Sequence, residues 1–124
     1  MQYYFWVAAG GALGAVSRVV LQQFLNPAAS TFPLGTFLAN VAGSFVIGFL
    51  AVAGQNGPSY LQPLVMGGCL GALTTMSSFV LEVTQLSSAN KAGSASLYLL
   101  ATITICLAVC YIGVLTGRWL THSL

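Results

Sequence analysis

Residues 67–79 read Gly-Gly-Cys-Leu-Gly-Ala-Leu-Thr-Thr-Met-Ser-Ser-Phe, inside a segment apolar enough for a bilayer. Glycine and hydroxyl side chains stand there more densely than a lipid-facing helix needs. Irregular backbone at membrane depth persists only where protein covers it or where it lines a wet cavity. The stretch therefore predicts a helix broken at mid-membrane, at the polar centre of a membrane protein, with a transport pathway as the leading purpose. Its polar groups are neutral: Thr75, Ser77 and Ser78 can donate hydrogen bonds without carrying charge.

Other polar residues stand in apolar surroundings. Asn40 carries two N–H donors and one carbonyl acceptor, and a buried amide must find partners. It reads either as glue between helices or as a donor to a passing anion. Tyr98, Thr102, Cys106 and Cys110 follow one another at four-residue steps. At 3.6 residues per turn they form one slowly rotating stripe, either small-residue packing or a track of donors. Two charges need explaining, because ionisable residues in spans are costly and usually paired or functional. Arg18 can snorkel from the end of the first span. Glu82 can cap the site electrostatically, pair with Arg18 or Lys91, reach an aqueous vestibule, or relay protons. Cys69, Cys106 and Cys110 are three, so at least one lacks an intrachain partner, and they read as packing residues.

Enzymatic constellations are missing. The chain has no Asp, its lone His is His122, and it offers no paired carboxylate, phosphate loop or metal cluster. An enzyme is not expected.

The elements that must position these residues follow from composition. The chain has 124 residues, 57% hydrophobic and 3% charged. A soluble domain carries roughly 25% charged residues, so the expectation is an all-α integral membrane protein, multi-pass in the cell inner membrane and embedded in lipid. A span needs about 20 residues, which leaves room for one domain of four transmembrane helices. They are expected over about residues 3–25, 34–53, 60–88 and 95–120. Turn signals separate them at Asn26-Pro27-Ala28-Ala29-Ser30, Gly54-Gln55-Asn56-Gly57-Pro58 and Asn90-Lys91-Ala92-Gly93. At about 29 residues the third segment exceeds one plain span, as a mid-membrane break requires. Pairs four apart, Gly10/Gly14, Gly67/Gly71 and Gly113/Gly117, predict close helix packing. The N-terminus has no basic n-region, so the first span is expected to be retained. A net charge of +2 is too small and scattered for a nucleic-acid partner. Lys and Arg are nearly balanced between the two sides, so the charges leave single and dual topology both open.

Three motifs occur in order. Residues 10–18, Gly-Gly-Ala-Leu-Gly-Ala-Val-Ser-Arg, fit G-G-x-x-G-x-x-x-R. Residues 35–45, Gly-Thr-Phe-Leu-Ala-Asn-Val-Ala-Gly-Ser-Phe, fit G-T-x-x-x-N-x-x-G-x-F. Residues 68–79 resemble G-x-x-G-x-x-T-T-F-S-T-F, and Glu82 follows. Together they resemble the Fluc (CrcB) family of fluoride channels. That resemblance implies an antiparallel, dual-topology homodimer with two pathways, through which fluoride leaves the cytoplasm down its electrochemical gradient. It implies a structural Na⁺ at the dimer centre, held by backbone carbonyls at Gly71 and Thr74. It places Asn40, Phe79 and the stripe Tyr98, Thr102 and Cys106 along the pathway. Here the chain departs from the pattern: Met76 replaces a phenylalanine, and Ser78 replaces a threonine. An aromatic ring edge is electropositive and a thioether has no such edge, so conduction is expected to be retained but weakened. A small dual-topology, proton-coupled multidrug exporter is the alternative, but the first span lacks the acidic residue that class wants.

Overall fold

The computed structural model of the chain describes residues 1–26, 32–55 and 57–122 and is helical. Four helical stretches among them are long and apolar enough to cross a membrane. They comprise α1 (Gln2–Leu25), α2 (Leu34–Ala53), a third stretch in pieces, and α5 (Ala92–His122). The third stretch consists of a π-helical segment (Gln62–Leu70), a single turn α3 (Gly71–Leu73) and α4 (Met76–Ser88). Of the predicted turn at residues 26–30, only Asn26 falls within the described residues. Asn56 of the next turn also falls outside them.

Helix ends are closed by polar groups that the local sequence supplies. The first N–H groups of a helix have no intrahelical partner, and Asn26, at the end of α1, accepts the Gly35 N–H through Oδ1 at 2.6 Å. That bond ties the start of α2 to the end of α1. The end of α4 is closed by Asn90, whose φ of 58° is left-handed. Asparagine tolerates that region, and the Lys91 N–H then turns back to the Leu86 carbonyl at 3.0 Å, satisfying one of the last carbonyls.

Glycines set the helix spacing. A Cβ on Gly10 or Gly14 would collide with the backbone of Leu64 or Cys69, and a Cβ on Gly68 would meet that of Val7 and Gly11. Thus α1 and the π segment touch backbone to backbone. The close contact falls on Gly68 rather than on Gly67 and Gly71, where an added Cβ finds ordinary space. Between α2 and α5 the approach is reciprocal: Gly48 faces the Cys110 carbonyl and Gly113 faces the Phe45 carbonyl. Lipid tails are as apolar as the side chains, so such contacts, with hydrogen bonds, replace the hydrophobic effect as the force between spans. Gly48→Ala is expected to push α2 from α5 and to destabilise the fold by about 1–3 kcal/mol. Thermal unfolding in detergent checks this as a lowered midpoint.

A small aromatic core joins α4 to α5. Phe79, Leu86, Ala95 and Tyr98 are buried together, with Phe32, Phe37 and Val83 against them. Elsewhere large apolar side chains such as Leu13, Leu97, Leu100 and Leu107 face outward, as a lipid-exposed surface requires.

Candidate functional site: a broken helix and a polar cleft

The third stretch breaks at two threonines. Thr74 (φ −76°, ψ 145°) and Thr75 (φ −147°, ψ 116°) are extended between α3 and α4. An interruption frees carbonyls before it and N–H groups after it. The first freed N–H would, in a continuous helix, run from Thr75 to the Gly71 carbonyl. Instead it donates to Asn40 Oδ1 at 2.8 Å, while Asn40 Nδ2 donates to the Thr75 carbonyl at 3.3 Å. The amide of Asn40 thus stands in for a peptide group and holds the break open. It keeps a second Nδ2–H beyond that pairing. Arg18 Nε donates to the Ala72 carbonyl at 3.0 Å. Its guanidinium stays at the break rather than reaching away from it.

On the other side of the break, Thr75 caps α4 by accepting the Ser78 N–H at 3.2 Å. The hydroxyls of Ser77 and Ser78 both lie 3.2 Å from Thr75 Oγ1. Three predicted donors therefore form one local hydroxyl cluster.

Asn40, Thr74, Thr75 and Met76 line one wall of a cleft of about 310 Å³. Phe79 and, from α5, Thr102 and Cys106 also line it, together with Ser44 and the apolar Ile47, Leu70 and Ile103. Thr102 is the telling residue. Thr84, Thr116 and Thr121 send their hydroxyls back to the carbonyl four residues earlier, the usual habit of a helical threonine. Thr102 does not: its hydroxyl oxygen is buried with no hydrogen-bond partner, and the residue is 4% exposed. A buried polar atom in that state costs about 1–3 kcal/mol.

Glu82 sits outside the cleft, within a neutral network. Oε1 accepts from Thr36 at 2.6 Å and from Asn26 at 3.1 Å, and Oε2 accepts from the Tyr98 hydroxyl at 2.7 Å. Gln22 also donates to Thr36 Oγ1, at 3.0 Å. Among the described residues neither Arg18 nor Lys91 is an ion-pair partner of Glu82. Tyr98 links network to cleft, because its ring meets that of Phe79 edge-on at 5.2 Å and 66°.

The residues singled out in the sequence are therefore distributed over three places. Asn40, Thr74, Thr75, Met76, Phe79, Thr102 and Cys106 share the cleft. Ser77 and Ser78 stand beside it through Thr75, and Tyr98 reaches it through Phe79. Gly71 opens the single turn α3 before the break, and Arg18 holds the Ala72 carbonyl of that turn. The sequence reading missed Asn26 and Thr36 as partners of Glu82, and Gln22 as a donor to Thr36. Thr36 was visible inside the second motif, whereas Asn26 reads as a turn residue and Gln22 carries no pattern. The three cysteines are free thiols. No group of three His, Cys, Asp or Glu side chains able to hold a metal occurs among the described residues.

Comparison with known proteins gives consistent matches. The family described as CrcB-like protein, Camphor Resistance (CrcB), matches residues 5–114. A protein of Magnetococcus marinus named fluoride-specific ion channel FluC is 39% identical over 117 residues, covering 91% of this chain and 95% of that protein. The protein of the same name from Hahella chejuensis is 39% identical, covering 91% and 92%. Fluoride-specific ion channel FluC 1 of Staphylococcus aureus is 35% identical over 121 residues, covering 95% and 98%.

Proposed function

The chain belongs to the CrcB/FluC family of membrane channels, and on that premise we propose that it is a fluoride-selective passive channel through which fluoride leaves the cytoplasm. The single observation that carries this reading is the orphaned, buried hydroxyl of Thr102, a residue that lines the cleft. A donor with nothing to donate to, in a membrane interior, suits a small anion that has shed its water.

Fluoride crossing a low-dielectric interior must replace its hydration shell. Fixed cationic side chains would hold it, whereas conduction needs binding strong enough to enter and weak enough to leave. The cleft supplies neutral groups: the second Asn40 N–H, the Thr102 hydroxyl, the weak Cys106 S–H donor and the Phe79 ring. Thr75, Ser77 and Ser78 can rotate hydroxyl hydrogens toward an approaching ion, at the expense of their mutual bonds.

The break calls for a second copy. Irregular backbone within a bilayer must be covered or wet, yet Gly71, Met76 and Ser77 are exposed on the single chain. An antiparallel copy laid over this face would place two breaks together at mid-membrane, which dual topology permits. Gly71 has lost its N–H donor to Asn40, and Thr74 is extended, so both carbonyls suit a hard cation that takes oxygen ligands. Two copies would offer four such oxygens to one Na⁺, which would offset the carbonyl dipoles and add a fixed positive field. The proton-coupled exporter reading has little left to use, since the Glu82 oxygens are engaged by Thr36, Asn26 and Tyr98.

Thr102→Val tests the reading. It removes the hydroxyl at nearly constant shape, so a purely structural threonine would lose nothing. The expectation is a fold as stable as the parent, or up to about 1–3 kcal/mol more stable because an unsatisfied group is gone, together with fluoride efflux reduced tenfold or more. A stable variant with parental efflux would contradict the role.

A further inference from the structure

We propose that Cys106 and Met76 form a two-sulfur binding site for a soft monovalent metal ion, Cu(I) or Ag(I), inside the cleft. A thiol on α5 and a thioether at the start of α4 line the same 310 Å³ space. Soft sulfur ligands select soft ions, and a thioether adds nothing to the binding of a hard one. Zn²⁺ wants four strong ligands, and no group of three His, Cys, Asp or Glu side chains occurs among the described residues. The donor set therefore favours an ion content with two sulfurs. Met76 is unbranched and lines the same cleft as Cys106, so its three rotatable bonds give its sulfur reach within that space.

Charge favours the same ion. Binding forms a sulfur–metal bond at Cys106 and breaks its S–H bond, with the proton leaving to water. The thioether of Met76 adds its lone pair and releases nothing. One positive ion on one thiolate leaves no net charge in the cleft, whereas a divalent ion would leave one, at high cost in a low dielectric. The buried hydroxyl of Thr102, one turn before Cys106, is without a partner. As in the fluoride reading, it marks the cleft as a place that receives a group from outside the chain. A metal ion seated there stands in the proposed fluoride path, so it blocks flux. The block, unlike the binding, rests on the channel reading.

The test uses the full chain with Cys69→Ser and Cys110→Ser, which leaves Cys106 as the only thiol, and silver nitrate in chloride-free, thiol-free buffer. Native mass spectrometry is expected to find one silver per chain with one proton lost. Silver is expected to protect Cys106 from maleimide labelling, and a hundredfold excess of Zn²⁺ is not. Met76→Leu, which keeps the volume and removes the sulfur, is expected to weaken silver binding tenfold or more. Equal affinity in Met76→Leu, equal protection by zinc, or no protection by silver overturns the two-sulfur site. In liposomes silver is expected to cut fluoride efflux at least tenfold, and bound silver with undiminished efflux overturns its place in the path. If the chain shows no efflux before silver is added, the channel reading fails, while the mass and labelling results decide the metal site.

Discussion

Asn40→Ala is expected to abolish fluoride efflux and to loosen the third span. Two hydrogen bonds from one side chain hold the interruption, at 2.8 Å to the Thr75 N–H and 3.3 Å from Asn40 Nδ2 to the Thr75 carbonyl. Removing the amide leaves that N–H and that carbonyl unpaired, each at about 1–3 kcal/mol. The N–H can recover its loss only by returning to Gly71, which closes the break and removes the carbonyl proposed for the cation. A fall of a hundredfold or more in efflux is expected, with a stability loss of roughly 2–4 kcal/mol. Asn40→Asp separates the two roles, because it keeps the acceptor for Thr75 and puts a carboxylate on the proposed anion path. It should retain more of the stability than Asn40→Ala and still fail to conduct. Liposome efflux and unfolding of the two variants side by side decide this.

Glu82→Ala is the second large effect. Three neutral donors converge on this carboxyl group, and two of them, Thr36 and Tyr98, are fully buried. Without it both hydroxyls lose the acceptor they donate to, although Thr36 Oγ1 still accepts from Gln22, and about 1–3 kcal/mol is lost for each. The total, roughly 2–5 kcal/mol, is a large part of an ordinary stability margin. Function should fall too, since Tyr98 braces the ring of Phe79 on the cleft wall. Glu82→Gln keeps one acceptor and presents an N–H where a donor already points, so an intermediate loss is expected. The unfolding midpoints should rank parent, Gln, Ala.

Much of this was legible in the residues. The third span was too long and too rich in glycine and hydroxyls to be one plain helix, and its interruption falls at Thr74 and Thr75, inside that stretch. Asn40 stood out because an amide in an apolar span must be paired. What it pairs with was not legible: a backbone group thirty-five residues away carries no pattern in the chain. The same limit hid the surroundings of Glu82. A carboxyl in a span suggests a cationic partner, but here neutral side chains from the cap of α1, from α2 and from α5 do that work. The glycine contact shifted by one position, from Gly67 to Gly68, because the π segment widens the turn and moves each following residue around the helix. The orphaned state of Thr102 could not be read at all, since it depends on what its neighbours fail to offer.

The most direct measurement is halide efflux from liposomes reconstituted with the purified chain. The prediction is rapid passive fluoride release that needs no proton gradient, with chloride retained under the same driving force. Fluoride retained as well as in protein-free liposomes, or chloride released as fast as fluoride, would contradict it.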